Sequence, residues 1–425
     1  MNTLGKNIRL TSYGESHGEV IGAVLDGFPA GFTVDKSFIQ YQLDRRKPGQ
    51  SSISTPRTEN DEVIINSGVF EGKTTGAPIH FQIKNTNQNP KDYMHLKDVY
   101  RPSHADYTYE ARYGVRDYRG GGRSSARVTS GWVAVGSLVQ DLLAKEKGIC
   151  VGAYVKQIGT IKLINEPLYY SPDIVESNMV RCPDTKVAIE MIDAIQQAKA
   201  DKDSLGGVIE CVIKGVPAGL GNPVFDKLSS ALAHAMMSIN AVKGFEIGGG
   251  FEMSSMRGSE VNDAFYIENG KPITDTNNSG GIQGGISNGM NIVFRVAFKP
   301  TATIGVAQQT ITNSGEEISL EATGRHDPCV VPRAVPIIET LDDNLKEEYH
   351  SIAHVPDYNT SVMMNKLFRI IKENDNLDAL EESDDEEEFE NDDITKFVHL
   401  DKSYKMVCRF NHKFKKWFPI KLANE

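Results

Sequence analysis

Fixed positive charge is concentrated between Arg101 and Arg127, where the sequence reads RPSHADYTYEARYGVRDYRGGGRSSAR, with six arginines and one histidine. A guanidinium stays charged at physiological pH and grips carboxylate or phosphate through two parallel hydrogen bonds. The three glycines can expose backbone N–H groups to an anion, and Ser124 and Ser125 follow at a predicted helix start, where anions are favoured. Arg123 is expected on the same side of that turn as Arg127, four residues on. The segment predicts a small-anion site, with a solvated basic loop as the alternative.

Other segments carry side chains that could move protons or hold anions. His17 lies between glycines in GESHGEVIG, where the backbone can approach a ligand closely, although a structural histidine is the alternative. Arg45 and Arg46 end a predicted helix in LDRRKPGQ, where they either complement the helix dipole or bind an anion. Asp327 stands close to Arg325 in TGRHDPC, and a carboxylate beside an arginine stays ionised, which suits holding a base or orienting a substrate.

Two more segments offer ligand contacts without a nucleophile. Lys299 lies in AFKPTATIG, and Asn240 lies in the glycine-rich loop SINAVKGFEIGGG. Together the clusters provide many arginines, two or three histidines and no side chain in a recognisable nucleophile context. Such a set predicts binding of a polyanion and proton movement without a covalent enzyme intermediate.

Composition narrows the class of ligand. The formal net charge is -11, of which residues 342–425, with 20 acidic and 12 basic residues, carry -8, which leaves -3 for residues 1–341. An acidic chain is a poor nucleic-acid binder, which favours a small anionic ligand. No apolar run reaches a membrane span, and the N-terminus lacks the apolar core of a secretory signal. The five scattered cysteines argue against a zinc site, so we expect a cytoplasmic protein that binds no metal.

Residues 1–341 alternate short β-branched runs with segments of helical period. NIVFRVAF has the pattern of a strand, and SSARVTSGWVAVGSLVQDLLAKEKG has the start signal, periodicity and final glycine of a helix. DTKVAIEMIDAIQQAKADKDS and VFDKLSSALAHAMMSI also predict helices. A G-x-P-A-G turn follows a strand and precedes a helix twice, at 27–31 and 215–219. These patterns predict an α+β fold with a pseudo-symmetric core of helices sandwiched with antiparallel β-sheets.

The amino-acid composition becomes more polar and more acidic after Leu341, so we expect a catalytic domain at 1–341 and an atypical tail at 342–425. SVMMNKLFRIIKE could form one amphipathic helix. The acidic block LEESDDEEEFENDD predicts disorder, and the chain ends in the basic, aromatic stretch KSYKMVCRFNHKFKKWFPIKLANE.

Seven segments of residues 1–341 resemble the chorismate synthase family. The three longest are GESHGEVIGAVLDGFPAG, GGGRSSARVTSGWVAVGSL and GRHDPCVVPRAVPIIETL. LDRRKPG, RPSHAD, SINAVKGFEIG and FKPTATIG also match the family pattern, in order and at suitable separations.

The resemblance implies a lyase of the shikimate pathway to aromatic amino acids. It implies conversion of 5-enolpyruvylshikimate-3-phosphate to chorismate by 1,4-elimination of phosphate, with reduced FMN and no net redox change. NADPH would be needed if the protein reduces its own flavin, and the family suggests a homotetramer. Arginines suit this substrate because it carries two carboxylates and a phosphate.

The resemblance also assigns roles residue by residue. His17 would be the general acid at the departing phosphate, His104 would lie near the flavin, and Asp327 would assist proton removal. The substrate contacts would be Arg46, Arg101, Ser125, Arg127 and Arg325. The expected flavin contacts are Ser125, Arg127, Asn240, Ala241, Lys299, Thr301, Thr303 and Arg325.

The sequence departs from the family pattern at two places, and the second, at the C-terminal end, favours an alternative function. Ser52 stands where many relatives carry a further arginine, and the chain turns polar after Leu341 where relatives continue with an apolar helix. A non-catalytic scaffold with an interaction tail is therefore one alternative. A flavin oxidoreductase is the other, although no dinucleotide fingerprint favours it.

Overall fold

The computed structural model describes residues 2–55, 57–88, 90–322, 326–341, 406–411 and 416–422. The chain divides into two compact units, Met1–Glu347 and Glu348–Glu425. None of the helices among the described residues is long and apolar enough to span a membrane.

The first unit contains two five-stranded antiparallel sheets. The strands in its N-terminal part are β1 Thr3–Leu4, β2 Arg9–Gly14, β3 Val20–Asp26, β4 Val63–Ser67, β5 Val69–Phe70, β6 Lys73–Thr74 and β7 Ile79–Lys84. The later strands are β8 Cys150–Ile158, β9 Ile161–Lys162, β10 Gly207–Lys214, β11 Val242–Ile247, β12 Phe265–Glu268, β13 Lys271–Thr274, β14 Ile282–Gln283, β15 Ile286–Ser287, β16 Ile292–Phe298, β17 Gln308–Ile311 and β18 Glu317–Leu320. The first sheet has the order β1-β2-β3-β7-β4 and the second has the order β11-β16-β10-β8-β9.

Local sequence explains the helices that connect these strands. They are α1 Lys36–Arg46, α2 Asp106–Tyr113, α3 Thr129–Leu142, α4 Pro172–Val175, α5 Thr185–Ala200, α6 Leu228–Met237, α7 Gly258–Val261 and α8 Val331–Thr340. α1 begins after Asp35, whose carboxylate accepts from the Phe38 N–H at 3.0 Å. A π turn at Leu143–Lys147 extends α3 to Gly148, which adopts φ 68°. The predicted helices and the predicted strand NIVFRVAF are confirmed in α3, α5, α6 and β16.

The helices α1, α3 and α8 form the middle layer of the unit. α3 packs on β2, β3 and β7 of the first sheet, α8 packs on β8 and β10 of the second, and α1 contacts both helices. Buried apolar side chains such as Phe81, Val133, Ile209 and Ile338 fill the space between the layers. The predicted α+β sandwich is therefore confirmed.

Two glycines set the closeness of the packing around α3. A methyl group on Gly131 would collide with the backbone of Gly22 in β3, and one on Gly136 would collide with the Thr340 carbonyl at the end of α8. The central helix therefore approaches both neighbours at backbone distance.

The two G-x-P-A-G turns occupy related places in the two sheets. They follow β3 and β10, which are the central strands of their sheets. The helices that come next differ, because α1 lies in the middle layer whereas α6 packs on β11.

The second unit contains the antiparallel pair β19 Met406–Asn411 and β20 Lys416–Leu422. The predicted amphipathic helix at 361–373 and the predicted disordered acidic block at 380–393 lie outside the described residues.

Candidate active site

A cavity of about 410 Å³ in the first unit collects residues from seven separate parts of the chain. They come from the β2–β3 turn, the segment between α1 and β4, the segments before α2 and α3, the α6–β11 loop, the stretch after β16 and the residues around the start of α8. Eleven of the predicted site residues line it: His17, Arg101, His104, Ser125, Arg127, Asn240, Ala241, Lys299, Thr301, Thr303 and Asp327. Arg46 lines a smaller adjoining cavity of about 60 Å³, whose wall also includes Asp327. Arg325 lies outside the described residues.

His17 is held rigidly at the wall of the cavity. It is buried in the β2–β3 turn, and its Nδ1 lies 3.0 Å from the Ser16 hydroxyl oxygen. That hydroxyl donates to the Arg119 carbonyl at 3.2 Å, so its oxygen accepts from the His17 ring. The ring edge packs against Tyr93 at a centroid distance of 4.9 Å. Gly120, at φ 66°, lies so close to the imidazole that a Cβ there would collide with it.

Three arginines at the cavity share two buried carboxylates. Arg46 Nη2 lies 2.5 Å from Asp61 Oδ2, and Arg127 Nη1 donates to the other oxygen of Asp61. Arg57 Nη2 donates to Glu59 Oε1 at 2.6 Å. Burial alone would raise the pKa of Asp61, but the guanidiniums of Arg46 and Arg127 outweigh it and hold that pKa below its usual range. The carboxylates therefore stay ionised and fix the arginines while leaving them with excess positive charge.

Arg101 and His104 are joined by Asp106, the first residue of α2. Arg101 Nε donates to Asp106 Oδ2 at 2.7 Å, and His104 Nδ1 lies 2.9 Å from Oδ1. Burial lowers the pKa of His104 below its usual value, and the hydrogen bond to Asp106 only partly opposes this effect. His104 is therefore mainly neutral at neutral pH.

Asp327 is anchored just before α8. Its Oδ1 accepts from the Thr55 N–H at 2.9 Å, and Arg333 Nη1 donates to its other oxygen. Arg333 Nε also donates to the Arg46 carbonyl at 3.2 Å, so α8 and the end of α1 are tied together beside the cavity. The carboxylate therefore has a fixed orientation.

Several known proteins are similar to this chain. Residues 8–343 match the family model of chorismate synthase. Chorismate synthase from Parabacteroides distasonis is 58% identical over 341 residues, covering 80% of this chain and 95% of that protein. The enzyme from Cytophaga hutchinsonii is 55% identical over 341 residues, covering 80% and 94%. A crystal structure of chorismate synthase superposes with a TM-score of 0.61 at 31% identity, covering 80% of this chain and 90% of that one. The chain belongs to the chorismate synthase family.

Some lining residues of this chorismate synthase-like cavity were not predicted from the sequence. They are chiefly Tyr93, Arg57, His326 and Arg333. Only His326 carried a signal, because it adjoins Asp327. Burial, with Arg101 and His104 nearby, lowers the pKa of His326 to about 4, so this imidazole is neutral at physiological pH.

One expectation from the sequence differs from the structure. Arg123 was expected beside Arg127, but its Nη1 donates to the Gly14 carbonyl at 2.9 Å, whereas Arg127 Nε donates to Asn85 Oδ1 at 2.9 Å. The reason is that Ser125, at φ -74° and ψ 139°, separates two short 3₁₀ turns and breaks the helical spacing. Ser52 lies outside the cavity lining, with its hydroxyl 3.7 Å from Met179 Sδ.

The family implies a reduced flavin, and three features of the cavity fit such a group. The described lining residues include a single carboxylate, Asp327, and five cationic side chains, an excess of positive charge that suits a phosphorylated ligand. The cations are Arg57, Arg101, Arg127, Lys299 and Arg333. Buried polar atoms on three lining residues have no hydrogen-bond partner within the described part of the chain: Asn240 Oδ1, Thr301 Oγ1 and His326 Nε2.

Backbone conformation at the cavity points the same way. Ser103 and Ala241 line it with φ of 58° and 69°, a left-handed conformation that costs a non-glycine residue about 1 kcal/mol or more. Conformations of this kind cluster at ligand sites.

Proposed function

We propose that this cavity eliminates phosphate from 5-enolpyruvylshikimate-3-phosphate to form chorismate, as a carbon–oxygen lyase of the shikimate pathway. The observation that carries the proposal is the meeting of His17, His104, Asp327 and several arginines around one cationic cavity. A substrate with two carboxylates and one phosphate needs several guanidinium forks that remain charged after burial.

The arginines hold the three anionic groups of the substrate. We assign this role to Arg46, Arg101, Arg127 and Arg325, with Ser125 beside them, and Arg57 is added because it lines the cavity. Burial lowers the pKa of Arg46 to about 10, so it is still charged at neutral pH. Since Asp61 already fixes Arg46 and Arg127, little side-chain freedom is lost when the substrate binds.

Three side chains handle protons. His17 acts as the general acid at the departing phosphate, with its ring oriented by Ser16 and Tyr93. Asp327 assists removal of the proton from the substrate ring. Thr55 and Arg333 keep its carboxylate fixed at the cavity for this role. His104 holds or releases a proton beside the cofactor.

Reduced FMN is the cofactor that we assign, and NADPH would serve only if the protein reduces its own flavin. When bound, FMN supplies electron density to the substrate transiently, with no net redox change. The residues that would hold it are Ser125, Arg127, Asn240, Ala241, Lys299, Thr301, Thr303 and Arg325. Lys299 is the phosphate partner in this assignment, since it is the flexible point charge among them.

Anaerobic turnover tests this function. The full chain, given substrate and chemically reduced FMN, should release phosphate and chorismate in equal amounts, and oxidised FMN should support no turnover. Absence of product with reduced FMN bound would reject the elimination. Stoichiometric consumption of NADPH would instead identify a flavin oxidoreductase.

The remaining assignments concern the whole chain. We assign the activity to residues 1–341, the tail to a separate role, the active form to a cytoplasmic homotetramer, and the ligands to small molecules rather than nucleic acid. A chain ending at Leu341 should retain turnover per site. Light scattering should give four copies per particle, and a smaller particle with full activity would contradict the tetramer.

A further inference from the structure

Asp106 is a buried carboxylate that none of the assigned roles uses. Its side chain is 3% exposed, and it lies at the first residue of α2, behind the cavity wall rather than in its lining. Groups from three positions in the chain converge on it: Arg101, His104 and Arg116. A carboxylate with so many partners governs the geometry of all of them.

The contacts leave no acceptor position of Asp106 unused. Oδ2 accepts from the Arg101 backbone N–H at 3.1 Å and from Arg101 Nε at 2.7 Å. Oδ1 accepts from Arg101 Nη2 at 2.8 Å, lies 2.9 Å from His104 Nδ1, and lies 3.1 Å from Arg116 Nη1. Burial would raise the pKa of Asp106, but the hydrogen bonds from Arg101 and His104 outweigh it and hold that pKa far below its usual range. Asp106 is therefore an acceptor only.

This one-way acceptor decides which nitrogen of His104 carries the proton. Because Oδ1 cannot donate, Nδ1 must be the protonated nitrogen of the neutral ring, and Nε2 carries the lone pair. The Nε2 edge of the ring adjoins the glycine-rich turn, since a Cβ on Gly121 would lie 3.2 Å from Nε2.

We propose that Asp106 is a positioning residue, which fixes the Nδ1–H tautomer of His104 and the orientation of the Arg101 guanidinium with one carboxylate. The proton-handling and anion-binding groups are thereby set relative to each other before any ligand binds. This inference rests on the proposed roles of His104 and Arg101, but its structural content can be measured without turnover.

Asp106→Asn gives the decisive variant because it replaces one accepting oxygen by a donor. One donor at Oδ2 is the backbone N–H of Arg101, which cannot turn away, whereas the donors at Oδ1 are all on side chains. We therefore expect the amide oxygen at the place of Oδ2 and the NH₂ group at the place of Oδ1. The NH₂ group then faces His104 Nδ1, which must accept, and the proton moves to Nε2. Arg101 Nη2 also loses its acceptor.

The expected results are a changed tautomer and a shifted titration. In ¹⁵N-labelled full chain without ligands, His104 should change from the Nδ1–H to the Nε2–H pattern. The surrounding charges are Asp106, which raises the pKa of His104, and Arg101 and Lys299, which lower it, while the nearby His326 ring is neutral. Removing the Asp106 charge should move protonation of His104 to lower pH. In turnover, kcat/KM should fall about 100-fold or more, as expected when a catalytic histidine holds the wrong tautomer.

Arg116→Lys is the matched control, because it removes hydrogen bonds that support the loop near Asp106 while keeping a positive charge. Arg116 Nη2 donates to three backbone carbonyls, at Leu96, Lys97 and Val99, and so supports the loop. This variant should lower thermal stability and leave both the His104 tautomer and the pH profile unchanged.

The outcomes separate this inference from the proposed function. An unchanged His104 tautomer in D106N, or an equal change in R116K, overturns the positioning role even if the enzyme turns over. If the tautomer switches in D106N while the unsubstituted protein shows no elimination activity, the positioning role is supported and the proposed function is rejected. Asp106→Glu covers the case of poor folding, because it keeps an accepting carboxylate. It should retain the Nδ1–H tautomer and recover part of the activity, and an Nε2–H tautomer in it would overturn the proposal.

Discussion

Arg45 and Arg46 are consecutive residues at the end of α1, and they belong to two different charge clusters. Arg45 Nε donates to Glu176 Oε1 at 2.7 Å and its Nη1 donates to Glu339, while Arg181 Nε binds the same Glu176 at 2.8 Å. We call Arg45, Arg181, Glu176 and Glu339 the Arg45 cluster. The Arg46 cluster consists of Arg46, Arg57, Arg127, Glu59 and Asp61.

The two clusters differ in charge balance. The Arg45 cluster pairs two arginines with two carboxylates and lies away from the cavity lining. The Arg46 cluster sets three arginines against two carboxylates, and both Arg57 and Arg127 reach the cavity. Burial is similar, with Arg45 4% and Arg46 1% exposed, so exposure does not distinguish an arginine of the balanced cluster from one that we assign to substrate binding. The excess positive charge of the Arg46 cluster does, because a buried cation needs a counter-charge.

The largest expected effect is on the balanced cluster. Arg45→Met leaves Glu339 and Glu176 short of a partner, so the free energy of unfolding should fall by about 3–5 kcal/mol. Turnover per folded molecule should hardly change. Denaturant melts and active-site titration measure the two quantities. The double variant Arg45→Met with Glu339→Leu should recover much of the stability, and a large loss of kcat in folded Arg45→Met would contradict the division into two clusters.

The opposite pattern is expected for the unbalanced cluster. Arg57→Gln should reduce kcat/KM roughly 100-fold, since a charge-assisted contact worth about 3 kcal/mol is lost. The loss of stability should be smaller than in Arg45→Met, because Arg127 Nη2 stays 4.0 Å from Glu59 and Glu59 still accepts from the Thr86 N–H at 3.0 Å and the Thr86 hydroxyl at 2.8 Å. Steady-state kinetics and thermal melts test this. A folded variant with unaltered kcat/KM would remove Arg57 from the site.

Acid titration should sharpen the comparison further. Arginine partners outweigh burial and lower the pKa of Glu176, Glu59 and Asp61. Their contribution to stability is therefore present above the pKa of the unfolded carboxyls, near 4, and is lost as pH falls through the lower pKa of the folded state. Unfolding free energy measured from pH 7 to pH 3 should decline below about pH 4.5. The decline should be less steep in Glu176→Gln, and an unchanged slope there would contradict the pairing.

The smallest effect is expected at His326. Its pKa of about 4 keeps the ring neutral, so His326→Asn removes no charge at physiological pH. Loss of about one neutral hydrogen bond should change kcat/KM by roughly 2- to 10-fold. The pH profile above pH 5 should keep its position. A shift of the pH profile of kcat/KM in that range would show that His326 titrates during turnover.

The helices and strands could be predicted from the sequence because apolar residues repeat at the spacing of a helix or of a strand. α3 and α5 show helical periodicity with start and stop residues, and β16 shows a strand pattern between turns. Motif resemblance likewise predicted eleven lining residues, because each lies in a short segment of characteristic composition.

The ion pairs inside the candidate site could not be predicted from the sequence in this way. Asp61, Glu59 and Asp106 are ordinary acidic residues until folding places arginines beside them. Arg45 and Arg46 differ by one step around α1, about 100°, which decides the cluster that each joins. The divergence of Arg123 from Arg127 depends on the extended backbone of Ser125, which breaks the helical spacing.

The bare backbone contacts of Gly131 and Gly136 act at a distance from the chemistry. One side of α3 touches the sheet whose hairpin carries His17, and the other touches the helix that follows Asp327. The distance between His17 and Asp327 therefore depends on how closely the backbone of α3 approaches both neighbours. A methyl group at either glycine would push the layers apart and displace His17 or Asp327, although it contacts neither of them.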